Sequence, residues 1–135
     1  MQNQTSAPTV LLIEDDYDAA RMVIRLLSSN GYDIHHAATG LGGLGLAHKI
    51  RPNLILVDLG LPDVDGKSVA LRMRSMFQSS GTAIVAFTAE TGARTQRMAK
   101  AYGCDHFISK PINTQTFPAE IGRILSTQEL SVHVS

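Results

Sequence analysis

Unbroken apolar runs alternate along this chain with stretches whose apolar residues recur every third or fourth position. Val10-Leu11-Leu12-Ile13, Leu54-Ile55-Leu56-Val57 and Ala83-Ile84-Val85-Ala86-Phe87 are continuous, as strands buried on both faces of a parallel sheet are. Shorter strands are predicted at 33–37 and 107–109. Ala19, Met22, Val23, Leu26 and Leu27 have helical spacing, with Asp16 and Asp18 as cap candidates and Asn30-Gly31 as the stop. A glycine-rich helix is predicted near 40–50, ended by Pro52. Asp65 and Gly66 open another, with Val69, Ala70, Met73 and Phe77 on one face. A weak helix near 92–102 ends at Gly103. The last helix begins between Asn113 and Phe117, where Pro118 is tolerated only in the first turn, and Ile121, Ile124 and Leu125 give it an apolar face. Five β–α alternations predict an α/β fold, a doubly wound (βα)5 parallel sheet with helices on both faces. Residues 1–8 read as a polar, disordered tail, 9–126 as one domain, and 127–135 as a C-terminal tail too short and polar for another.

Four of the five strands end in a polar residue suited to handling a phosphoryl group. They run into Glu14-Asp15-Asp16, Asp58, Thr88 and Lys110-Pro111. In an open α/β sheet, ligands bind outside the carboxyl ends of the strands, so these ends are expected to converge on one pocket. A carboxylate such as Asp58 can attack phosphorus and form an aspartyl phosphate. Nucleophile and phosphoryl group are both anionic, and two like unit charges at ~4 Å repel by about 4 kcal/mol at an effective dielectric of 20. A cation is therefore required, and Mg²⁺ held by carboxylates, waters and phosphate oxygens meets the need. Glu14 and Asp15 are the carboxylate donors at hand. Lys110 can pair with a phosphate oxygen and the Thr88 hydroxyl can bond another, while the small Ala89 leaves space for the incoming donor. Asp16, Asp18, Asp63 and Asp65 read as caps or turn residues, as aspartate commonly is.

The motifs Leu12-Ile13-Glu14-Asp15-Asp16, Leu56-Val57-Asp58-Leu59-Gly60-Leu61-Pro62-Asp63-Val64-Asp65-Gly66, Phe87-Thr88-Ala89 and Ser109-Lys110-Pro111 occur in a specific order and spacing. Together they resemble the response-regulator receiver domain of bacterial two-component signalling, over residues from about 9 to 126. The resemblance implies a flavodoxin-like sheet of strand order 2-1-3-4-5. It implies that Asp58 is the phosphoacceptor, charged by a phosphohistidine on a sensor histidine kinase or phosphotransfer protein. It also implies that Asp15 binds Mg²⁺ directly, that Glu14 binds it through water, and that Asp58 and the Gly60 backbone carbonyl complete the protein ligands. Thr88 would move toward the phosphoryl group, Lys110 would hold it, and Phe107 would act as the aromatic switch. The Lys110-Pro111 bond is expected to be cis. Receivers often signal through the fourth helix, last strand and last helix, here about 92–125, to a downstream protein, as monomers or phosphorylation-dependent homodimers. Two positions depart from the common pattern. Phe107 stands where tyrosine is usual and offers no hydroxyl to a partner. Gly60 brings no side chain toward the phosphoryl group, which leaves the lifetime of the phosphorylated state open.

Other readings are weaker. A phosphatase of the haloacid-dehalogenase type also uses an aspartate nucleophile with Mg²⁺, but such enzymes carry an acid–base aspartate two residues later, where this chain has Gly60. On this reading the chain assists its own phosphorylation and dephosphorylation and is not otherwise an enzyme. Gly40-Leu41-Gly42-Gly43-Leu44-Gly45 matches a dinucleotide-binding fingerprint, with Asp58 eighteen residues past Gly40. That assignment leaves Asp15, Thr88 and Lys110 without work, so the glycines read instead as weakening a helix, by ~1 kcal/mol each relative to alanine. A receiver excised from a hybrid kinase, or a phosphorelay shuttle, fits the residues as well as a stand-alone receiver does. His35, His36, His48, His106 and His133 lack metal-ligand spacing and read as structural or solvated.

Composition adds bounds. At 135 residues the chain is one domain. Twelve basic and twelve acidic residues cancel, so no bulk electrostatic partner such as nucleic acid or an anionic membrane is indicated. The lone Cys104 excludes an internal disulfide and reads as a small buried thiol. The polar start lacks the features of a signal peptide and no run is long enough to span a bilayer. A cytoplasmic protein is expected.

Overall fold

The computed structural model describes residues 7–61, 66–89 and 92–134. The elements run β1 (Thr9–Ile13), α1 (Tyr17–Ser29), β2 (Asp33–Ala37), α2 (Gly40–Ile50), β3 (Leu54–Asp58), α3 (Gly66–Met76), β4 (Ala83–Thr88), α4 (Ala93–Ala101), β5 (His106–Ser109) and α5 (Phe117–Val134). The five strands form one sheet in the order β2-β1-β3-β4-β5, and every pairing is parallel. This is the predicted doubly wound architecture. The expected helix start at Asp65, the turn residue Asp63 and residues 1–6 of the expected tail lie outside the described residues.

The period of two along each strand divides the apolar runs between two cores. Leu11, Ile13, Ile55, Val57, Ile84 and Ala86 face α2, α3 and α4. Val10, Leu12, Leu54, Leu56, Val85 and Phe87 face α1 and α5. Both faces being covered explains why these strands are continuously apolar rather than alternating.

Asp16 caps α1, its side chain accepting the amides of Asp18 and Ala19. The buried stripe of α1 is Ala20, Val23 and Leu27, whereas Met22 of the predicted face is 48% exposed. The helix is rotated by about one residue from that expectation, which lets Ala20 sit flush on the sheet. In α2 the glycines do more than weaken a helix. A Cβ at Gly43 would lie 2.5 Å from Ile13 Cδ1, so the missing side chain lets α2 rest directly on β1. Gly103, at φ 88°, ends the α4 segment as expected.

The segment 127–135, expected as a tail, instead continues α5 to Val134. No glycine or proline interrupts residues 119–134 except Gly122, so nothing in the local sequence stops the helix. Gln128 Nε2 also donates to the Gly81 carbonyl at 3.2 Å, tying this extension to the loop before β4. Arg74 pins this same amino-terminal end of the β4–β5 pair, donating to the carbonyl of Gly103 and to Asp105, which itself accepts the Ile84 amide.

Candidate functional site: a carboxylate cluster at the strand ends

The strand order sets β1 beside β3, and their carboxyl ends bring three carboxylates together. Glu14, Asp15 and Asp58 each present an oxygen within 4.8 Å of the others. Among the described residues this is the only group of three or more His, Cys, Asp or Glu side chains so arranged. Glu14, just past β1, has no exposed surface. Its amide donates to the Ala37 carbonyl, and its Oε2 accepts the Asp16 amide at 3.1 Å. Asp58 closes β3 and is buried, its Oδ1 accepting the Gly60 amide at 2.9 Å. Asp15 is exposed at the mouth of the cluster.

Lys110 reaches in from beyond β5. Its ammonium lies 3.2 Å from Asp58 Oδ2 and pairs also with Glu14 Oε1. The Lys110 amide donates to the Thr88 carbonyl at 2.9 Å, which continues the β4–β5 ladder to the site and sets Thr88, itself buried, beside the lysine. The Lys110-Pro111 bond is cis, as expected. Burial raises the Glu14 pKa; hydrogen bonds from Lys110 and the Asp16 amide oppose this, and the neighbouring Asp58 adds to it. Burial pulls the Lys110 pKa down, but Glu14 and Asp58 outweigh it and the net shift is upward. The Lys110 ammonium thus favours the Glu14 carboxylate against burial, and the carboxylates in turn favour the ammonium.

The donor set is all carboxylate oxygen, hard chemistry that suits a small divalent cation rather than a soft metal. A fully buried glutamate that holds its charge through a cation is a further sign of fit, and in this structure that cation is Lys110. The candidate residues Glu14, Asp15, Asp58, Thr88 and Lys110 meet at one end of the sheet. Gly60 is exposed beside Asp58. Phe107 lies apart, half-buried on β5 and packed against the α2–α4 core.

A family model for the response regulator receiver domain matches residues 10–122. The chain belongs to this family. It is a family of signalling switches rather than of turnover enzymes. This receiver domain is 30% identical to the polar-differentiation response regulator DivK of Brucella anthropi, over 81% of this chain and 89% of the relative. It is also 30% identical to the DNA-binding dual master transcriptional regulator RpaA of Synechocystis sp., over 87% of this chain but 49% of that protein. The receiver thus spans about half the length of RpaA. A CheY-like response regulator receiver domain protein from Methanospirillum hungatei JF-1 superposes with a TM-score of 0.86 at 25% identity, covering 93% of this chain and 99% of the other.

Two residues at the receiver's site escaped the sequence reading. His36, read as structural or solvated, places Nε2 2.8 Å from the Glu14 carbonyl. A carbonyl only accepts, so this nitrogen carries the proton. Tyr17 packs edge-on against the ring at 6.0 Å. Phe87 lies under the Lys110 ammonium, with 4.9 Å to the ring centroid. The available signal for both was strand register, since each contact runs between neighbouring strands rather than along one.

Proposed function

We propose that this receiver is a phosphorylation-activated switch whose phosphoacceptor is Asp58. The observation that supports it best is the convergence of Glu14 on β1, Asp58 on β3 and Lys110 beyond β5 into one cation-bridged cluster. The phosphoryl donor is a phosphohistidine of a sensor histidine kinase or phosphotransfer protein: its P–N bond breaks as a P–O bond to Asp58 forms. Mg²⁺, when bound, neutralises charge between the carboxylate and the incoming phosphoryl group. Asp15, Asp58 and the Gly60 carbonyl would hold it, with Glu14 acting through water. Lys110, already beside Asp58, takes a phosphoryl oxygen as its partner once Asp58 is esterified. Thr88 donates its hydroxyl to another oxygen.

The switch follows from that last step. Drawing Thr88 toward the phosphoryl group vacates volume next to β5, and Phe107 can rotate into it. The surface near 92–125 then changes and a downstream protein reads it. Balanced charge makes a protein a better fit to this output than nucleic acid. The absence, among described helices, of one long and apolar enough to cross a membrane accords with a cytoplasmic role.

Amide NMR during addition of Mg²⁺ and then beryllofluoride, a phosphoryl mimic, tests this. Saturable shifts at Asp58, Thr88 and Lys110, extending through β5 to Phe107 only when both are present, are expected. A spectrum unmoved by beryllofluoride in saturating Mg²⁺ contradicts the switch.

A further inference from the structure

Phe87 belongs to the strand-end motif but has no part in the switch described above. It pairs in register with Asp58 on β3 and with Ile108 on β5, so its side chain stands in one transverse row between them. Lys110 begins beyond β5, yet its ammonium contacts Asp58 on β3 and Glu14 past β1. The lysine must therefore cross β4, and the β4 side chain beneath that crossing is Phe87. Phe87 is 2% exposed and its ring packs, tilted, against that of Phe117 at the start of α5, with centroids 6.5 Å apart. The ring is thus buried and packed, and it meets a cation that is itself largely shielded from water.

We infer that Phe87 is a positioning residue for Lys110: its buried ring face holds the ammonium across β4 and aims it at the phosphoryl site beside Asp58. The physical reason for a ring here is selectivity between competing attractions. The carboxylates that draw Lys110 inward are the groups a divalent cation engages, and engagement weakens their pull on the lysine. The aromatic face makes no such exchange, because its quadrupole is too weak a ligand for a small hydrated dication yet attracts an ammonium at this distance. Lys110 therefore stays extended over β4 when the carboxylates are otherwise occupied. An aliphatic residue at position 87 would fill the core but supply no such attraction.

The inference rests on the switch reading, and the test separates the two. Phe87 is replaced in the whole chain by 4-fluoro-, 3,5-difluoro- and 3,4,5-trifluorophenylalanine, which keep the shape while weakening the ring face stepwise. Beryllofluoride affinity in saturating Mg²⁺ is expected to fall stepwise, by between about 2- and 30-fold over the series, the span of a cation–π contact. Mg²⁺ affinity alone should move less than twofold. Equal beryllofluoride affinity across the series overturns the inference, as does an equal loss of both affinities, which marks general damage to the site. A second readout does not depend on phosphoryl chemistry. In the metal-free protein the Lys110 Hε resonances should lie upfield through the ring current of Phe87 and return to ordinary values in Phe87→Leu. Unshifted Hε resonances in the unsubstituted protein overturn the inference. Shifted ones with no beryllofluoride binding uphold the hold of Phe87 on Lys110 and sink the switch reading instead.

Discussion

Glu14 has no exposed surface, and its charge is sustained by the ammonium of Lys110. Removing one partner of a buried ion pair strands the other, which typically costs 3–5 kcal/mol. Lys110→Ala is therefore expected to lower stability in metal-free solution at pH 7 by about 3 kcal/mol in urea unfolding, near the low end because Glu14 keeps the Asp16 amide and Asp58 keeps the Gly60 amide. The deficit should narrow as pH falls through the raised pKa of Glu14, since the protonated acid needs no cation. A deficit independent of pH would mean that packing, not charge, is what Lys110 supplies. Cys104 offers a separate check. Burial first, and then the Asp105 carboxylate against the opposing Arg74, pushes its thiol from 9.0 up to about 12. The folded state thus favours the protonated thiol, a contribution present in full below 9.0 and lost as pH rises from there toward about 12. Alkylation at pH 8 should run at least about 100-fold slower in the native protein than in urea; comparable rates would place the thiol in solvent. The strand-end residues Glu14, Asp15, Asp58, Thr88 and Lys110 were legible as candidates because each follows an apolar run. His36 and Phe87 were not, because their contacts cross from strand to strand and a linear reading carries no register.

At the scale of elements, the glycines of α2 divide into two kinds. A Cβ at Gly45 meets nothing within 4 Å, whereas one at Gly43 meets Ile13 Cδ1 at 2.5 Å and Cγ1 at 2.7 Å. Gly45→Ala is expected to stabilise the fold by about 0.5–1 kcal/mol through helix propensity. Gly43→Ala is expected to destabilise it by about 1–3 kcal/mol, because Ile13 is fully buried and has nowhere to move. Thermal unfolding of the two variants measures the contrast, and shifts of equal sign would deny that α2 rests on β1 at Gly43. The same helix shows where sequence reading stops. Its glycines signal low propensity in any context, but only the sheet beneath shows which one is needed for close approach. Strands were read well because both faces of the sheet are covered, which makes their apolar runs continuous. The Met22 side of α1 was misplaced because seven apolar residues among the nine positions 19–27 allow more than one stripe. The last helix was cut short because Thr127-Gln128-Glu129 looks polar, and polarity does not end a helix that no glycine or proline interrupts beyond Gly122.

Over the whole molecule, the order β2-β1-β3-β4-β5 reverses direction between β1 and β3, and the carboxylates lie at that reversal, where open α/β sheets leave a crevice. One end of the sheet thus gathers residues separated by nearly the full length of the domain, from Glu14 to Lys110. Phe107 sits one strand from Thr88, on the edge strand that faces outward between α4 and α5. Chemistry at Asp58 therefore has a short path to a surface, through β4 and β5, without any large movement of the fold. The claim on which this account turns is that Asp58 carries the phosphoryl group. Intact mass after incubation with acetyl phosphate, with and without Mg²⁺, measures it directly, with Asp58→Asn alongside. A gain of one phosphoryl group that requires Mg²⁺ and is absent from the variant is the predicted result. The same gain in Asp58→Asn, or none in folded protein that has bound Mg²⁺ and shows no beryllofluoride complex, would contradict it.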